Sequence, residues 1–130
     1  MKKLLTLLAF TLITLTSYSQ NIFYFRAFEL NYGTRVDSES PITWSEEKTP
    51  VNILIKVEDT KATIYSKETQ VYRLINQVES GNERMYKYLC SNDDGLKCNF
   101  MIFTHEDAKG IIFIAVEFND MVFYYATKPE

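Results

Sequence analysis

Past residue 20 the chain is written in short runs of Val, Ile, Phe and Tyr, interrupted every 8 to 12 residues or so by turn chemistry. That rhythm constrains the fold more than any other feature. Within the runs bulky side chains recur at every second position, the repeat of an extended strand whose successive side chains point to opposite faces. The runs are Ile22 to Leu30, Val51 to Val57, Ala62 to Ser66, Gln70 to Asn76, Arg84 to Cys90, Leu96 to Thr104, Ile111 to Phe118 and Met121 to Ala126. Their connections are too short for the crossovers that parallel strands require, so sequence neighbours must pair as antiparallel hairpins. The one long polar stretch, Asn31 to Pro50, carries Gly33, Pro41 and the only tryptophan, Trp44, with room there for one further short strand. The expected fold is all-β: a single antiparallel meander of about eight strands forming a small barrel or a two-layer sandwich.

The first twenty residues are of another kind. Lys2 and Lys3 precede an uncharged run from Leu4 to Leu15, which Thr16, Ser17, Tyr18, Ser19 and Gln20 then break. The apolar run is about 12 residues long, against the roughly 20 that a membrane-spanning helix needs. Charged, apolar and small polar segments in that order make a cleavable signal peptide, with Ser17 and Ser19 at the positions a signal peptidase accepts. A buried N-terminal helix is the competing reading, and the two lysines and the Ser-Tyr-Ser exit speak against it. Residues 1–19 are therefore expected to be a signal peptide and residues 20–130 a single all-β domain. No cysteine lies near the cut to carry a lipid, so the mature chain is expected to be exported, periplasmic or extracellular, and not membrane-spanning. The leader, from Met1-Lys2-Lys3-Leu4-Leu5 to Ser17-Tyr18-Ser19-Gln20, resembles those of small exported proteins of Gram-negative bacteria. The resemblance implies that address and no particular chemistry.

Of the 14 basic side chains two, Lys2 and Lys3, lie in the leader, leaving 12 against 17 acidic ones, a balance of −5. A chain of that charge, without a basic patch to release counterions from phosphates, is not expected to bind nucleic acid.

Cys90 and Cys98 flank the turn Asn92-Asp93-Asp94-Gly95. A three-residue loop, Asp93 to Gly95 with Gly95 left-handed, sets Cys90 opposite Cys98, Tyr88 opposite Phe100 and Tyr86 opposite Ile102. Opposed Cα atoms in such a ladder are about 4.5 to 5.5 Å apart, inside the range a disulfide tolerates. An even cysteine count in an exported chain favours that disulfide, and the spacing is not the Cys-x-x-Cys of a redox-active pair.

If His105 to Lys109 form the next loop, Ile102 meets Ile112, Phe100 meets Ile114 and Lys97 meets Glu117 as an ion pair. The two-residue loop Asn119-Asp120, of residue types that tolerate positive φ, then sets Val116 against Phe123 and Ile114 against Tyr125. One face collects the cysteines with Tyr86, Tyr88, Phe100, Ile102, Ile112, Ile114, Val116, Phe118, Met121, Phe123 and Tyr125, the expected core. The other face is also apolar, with Met85, Met101, Phe103, Ile111, Phe113, Val122 and Tyr124, where a half-exposed sheet would be polar. Something must cover it: the N-terminal strand with Phe23, Phe25 and Phe28, a second subunit, or an apolar ligand. Met101, Phe103, Phe113 and Tyr124 are the candidate face for a small apolar ligand or a protein partner.

Catalytic constellations are not evident. His105, the lone histidine, sits beside Glu106 and Asp107 in a loop and reads as a solvated residue. Asn92 to Gly95 has a turn's composition without the alternating acids and distal Glu of a calcium loop. Glu46-Glu47 and Asp93-Asp94 are adjacent carboxylates that point apart on a strand or lie in loops. No cofactor, metal site or catalytic residue is expected. The reading is a non-enzymatic exported binding module. The alternatives are a structural or inhibitor-like envelope protein, and a hydrolase using carboxylates such as Glu46 or Glu47.

Overall fold

The apolar runs all become strands. In the computed structural model, which describes residues 21–130, they are β1 (Phe23–Thr34), β2 (Thr43–Trp44), β3 (Thr49–Val57), β4 (Lys61–Tyr65), β5 (Gln70–Val78), β6 (Met85–Ser91), β7 (Lys97–Phe103), β8 (Ile112–Glu117) and β9 (Met121–Pro129). The leader and its cleavage point lie outside the described residues.

From β3 to β9 each strand pairs antiparallel with the next, and β1 pairs with β3 on one side and β9 on the other. The β1–β9 ladder runs from Phe25 opposite Pro129 to Thr34 opposite Met121. This seam decides between the two expected architectures: the eight long strands close into a barrel. β2 extends the β3 side of β1 by two residue pairs, Gly33 with Trp44 and Thr34 with Thr43. At Phe28 the register of β1 shifts against both neighbours, a bulge that turns this ring outward.

The hairpin around Asn92 to Gly95 has the expected register, with Cys90 opposite Cys98, Tyr88 opposite Phe100 and Tyr86 opposite Ile102. Gly95 is left-handed, with φ of 83°. The Asn92 carboxamide oxygen accepts from the Asp94 and Leu96 N–H groups at 3.0 and 2.9 Å, which accounts for that residue as turn chemistry.

The β7–β8 register differs from expectation. The loop runs from Thr104 to Ile111, longer than His105 to Lys109, so Ile102 faces Ile114 and Phe100 faces Val116. Glu117 stands opposite Asn99 and accepts its carboxamide N–H at 3.0 Å, so the expected Lys97–Glu117 ion pair does not form. The slip is of two residues, an even number, so every side chain keeps its face. The β8–β9 register is as expected, Val116 with Phe123 and Ile114 with Tyr125. Its Asn119-Asp120 turn, however, has no positive φ and so is not a primed hairpin turn. It is braced from outside instead: the Arg35 guanidinium donates to the Phe118 and Asn119 carbonyls, both at 2.9 Å, and Arg35 N–H to the Asp120 carbonyl at 3.0 Å.

Side chains fill the barrel interior. Tyr125, Phe100, Ile55, Ile64, Ile114 and Val116 are its largest fully buried residues, and Phe25, Val57, Tyr72 and Leu74 pack with them. This is the filling that an eight-stranded barrel of aliphatic and aromatic residues has room for. Near one end Tyr72 donates its hydroxyl to the Gln70 carboxamide oxygen at 2.5 Å, while the Gln70 NH2 donates to Ser66 Oγ at 3.0 Å. Burial pushes the Tyr72 and Tyr125 hydroxyls above the ordinary tyrosine range.

Candidate functional site

The second apolar face becomes the outside of the barrel wall made by β6 to β9. Phe103, Ala115 and Val122 are buried there, and Met85, Met101, Phe113, Tyr124 and Ile42 pack against them. Ile42 names the cover. It belongs to the segment between β1 and β3, which folds back over the wall, so the chain covers its own outer face in part. The N-terminal strand is not the cover, since it is built into the barrel as β1.

Gly33 makes the fold-back possible. A Cβ at this position would stand 2.3 Å from Ile42 Cγ2 and 3.0 Å from Trp44 Cε3, closer than side chains approach. The segment is then held by polar contacts at both ends. Arg35 grips the β8–β9 turn and pairs with Glu117 at 3.4 Å, its own side chain only 7% exposed. Ser38 N–H donates to Asn119 Oδ1 at 3.1 Å, Ser45 N–H to the Tyr32 carbonyl at 2.8 Å, and Ser45 Oγ to Asn31 Oδ1.

Trp44 meets Tyr124 edge to face, ring centroids 5.6 Å apart. Tyr124 contacts Phe113 and Phe103 at 5.4 and 5.6 Å, and Phe103 stacks on Phe113 at 5.6 Å. His105 closes the chain of rings, 5.0 Å from Phe113 and 5.4 Å from Phe103, with Nε2 within 3.4 Å of the Tyr124 hydroxyl. It is an exposed loop residue, as expected, but its ring rests on the aromatic wall rather than standing free in solvent. Desolvation pushes the Tyr124 hydroxyl above its ordinary range. Such offset and edge-on pairs contribute about 0.5 to 1.5 kcal/mol each beyond area burial.

At the edge of this wall lies a surface cleft of about 310 Å³, lined by Glu29, Asn31, Trp44, Lys48, Phe113, Tyr124 and Ala126. Of the four candidate-face residues, Phe113 and Tyr124 line it, Phe103 is buried behind them, and Met101 lies in the same cluster but not in the cleft. Sequence reasoning missed Glu29, Asn31, Trp44, Lys48 and Ala126. Glu29 and Asn31 alternate outward on β1, Ala126 lies on β9, and Trp44 and Lys48 come from the fold-back segment, which the sequence marks only as a long polar stretch carrying Gly33, Pro41 and Trp44. A second hollow of about 430 Å³ lies by the β7–β8 loop, among Arg84, His105, Glu106 and Lys109.

Cys90 and Cys98 are both buried and face each other across the ladder near disulfide distance. Asn92 N–H donates to the Leu96 carbonyl. Alternation along the ladder then makes the cysteines a hydrogen-bonded pair, with Cα atoms about 5.5 Å apart. The hydrogen bond to Cys98 and burial push the Cys90 thiol above its ordinary value.

Glu46 and Glu47 form an exposed bend between β2 and β3, and Asp93 and Asp94 an exposed turn. Among the described residues no group of three or more His, Cys, Asp or Glu side chains could hold a metal ion, and no helix is long and apolar enough to cross a membrane. Comparison with protein-family models, curated proteins and solved structures finds no match for the chain.

Proposed function

We propose that this barrel is an exported, non-enzymatic binding module that takes a small ligand on the outside of its wall, in the cleft between Trp44 and the Phe113–Tyr124 pair. The observation that carries the reading is the contrast between a filled barrel interior and an aromatic wall left partly uncovered at its edge. A cleft of about this volume, walled by aromatic rings with a few convergent polar groups, is the usual form of a small-molecule site. Glu29, Asn31 and Lys48 are those groups. In an exported chain the Cys90–Cys98 pair would be oxidised, tying β6 to β7 beneath the wall. The rival reading, a structural envelope protein, draws on the same filled interior and on the cover supplied by Ile42.

A fragment screen followed by NMR separates the two. Ligand-induced shift changes are expected at the Trp44 indole, Phe113 and Tyr124, with the interior residues Phe100 and Ile114 unmoved. Hits scattered over the surface, or none at all, would leave the structural reading standing.

A further inference from the structure

We infer that the cleft selects an organic cation, an alkylated ammonium group; the inference rests on the binding reading above and assigns its ligand class. Trp44 and Tyr124 stand nearly at right angles, with an interplanar angle of 81°, and Phe113 is inclined to Tyr124 by 48°. Three rings in three planes thus border one cleft, whereas a flat apolar platform would have its rings coplanar. Ring faces carry negative electrostatic potential, and an alkylated ammonium ion set among several of them is attracted without needing a directional hydrogen bond.

The charge at the rim agrees. Glu29 places a carboxylate in the lining, and its one ion-pair partner there, Lys48, is held loosely: 3.8 Å away, with the two side chains 38% and 63% exposed. Such an exposed pair is worth little and yields readily to a competing cation. The 12 basic and 17 acidic side chains beyond the leader add a field that favours positive ligands and disfavours anions. A lipid chain fits less well, because three of the seven lining residues are polar or charged. A neutral sugar would use the rings and could donate a hydroxyl to the Glu29 carboxylate, but it carries no charge for that carboxylate or the surrounding field to attract.

Trp44 is the only tryptophan of the chain and is 40% exposed, so its fluorescence reports on this cleft alone. Titration of the purified protein with tetramethylammonium chloride, against sodium chloride at equal ionic strength, is expected to change Trp44 emission saturably, while methyl glucoside does not. Glu29→Gln should weaken tetramethylammonium about five-fold, and Lys48→Ala, which removes the competing ammonium, should tighten it about three-fold. Both are surface changes that leave the barrel folded, which circular dichroism verifies. Saturation by methyl glucoside alone would overturn the cation assignment and leave the cleft reading intact. No response to either probe, or a response indifferent to Glu29→Gln, would also overturn the assignment, and the NMR mapping would then judge the cleft reading separately.

Discussion

The two sides of the β6–β9 wall are equally apolar in sequence and differently built in space. The inner side meets the same kind of residue from every other strand, and Phe100, Ile114, Val116 and Tyr125 vanish from solvent. Among the described residues the outer side has only the fold-back segment to meet it, and Met101, Phe113 and Tyr124 remain partly exposed. Apolarity alone therefore did not decide which face became core. Closure did: once β1 joined β9, one face could be sealed completely, and the other depended on whatever loop could reach it.

If this contrast is right, truncation should separate the faces. Phe100→Ala should cost about 3 to 5 kcal/mol, since the enclosed interior cannot collapse onto the void. Phe113→Ala on the outer wall should cost about half as much, because solvent already reaches the ring and the cover can resettle. Urea unfolding of both variants checks this; equal losses would mean the outer wall is as much core as the inner.

The cover itself should come away when Arg35 is removed. Arg35→Ala strips two carbonyl partners and leaves Glu117 without its 3.4 Å cation, at an expected cost of about 2 to 3 kcal/mol. A red shift of Trp44 emission in the native variant would show that the segment, and not only the turn, has loosened.

The cysteine pair probes the inner side. Oxidising Cys90 to Cys98 should raise stability by about 2 to 3 kcal/mol over the reduced protein, as expected for closing a short loop. Thiol counting before and after reduction, with the urea midpoint of each form, measures it; an unchanged midpoint would mean that the bond strains the ladder as much as it restricts the unfolded chain. The smallest effect should come from Gly33→Ala. Its methyl group must displace Ile42 and Trp44, at about 1 to 2 kcal/mol, with the change in Trp44 emission confined to the outer wall.

The parts that could be read from sequence are those held by short-range geometry. The β6–β7 and β8–β9 registers follow from the lengths of their turns, and the alternation they set puts Cys90, Cys98, Phe100, Ile114, Val116 and Tyr125 inside, whereas Tyr86, expected in the core, lies exposed near the end of its strand. The β7–β8 register failed because nothing in Thr104 to Ile111 marks where the loop ends. Gly110 takes φ of 79° inside that loop, and Ala108 and Ile111 N–H groups bond back to His105 and Ala108 carbonyls, keeping it long. The β8–β9 turn was read as self-sufficient, yet its geometry is owed to Arg35, a residue far away in the chain. Two of the seven cleft residues lay hidden for the same reason: Trp44 and Lys48 reach Phe113 and Tyr124 only through a fold-back that no periodicity encodes.

The seam between the first and last long strands has a consequence for assembly. Its nine residue pairs join the two most distant segments of the barrel, and an ion pair from Arg26 to Glu130 at 2.7 Å fastens one end. Contacts of such sequence separation are the last to be rewarded as a chain folds, because the whole intervening ribbon must first be ordered. Until then β1 and β9 present raw rims of unpaired amides, each able to zip onto the matching rim of a second copy. A crowd of half-made ribbons would trade rims and form linked pairs or chains, whereas a ribbon folding in isolation can find only its own far end.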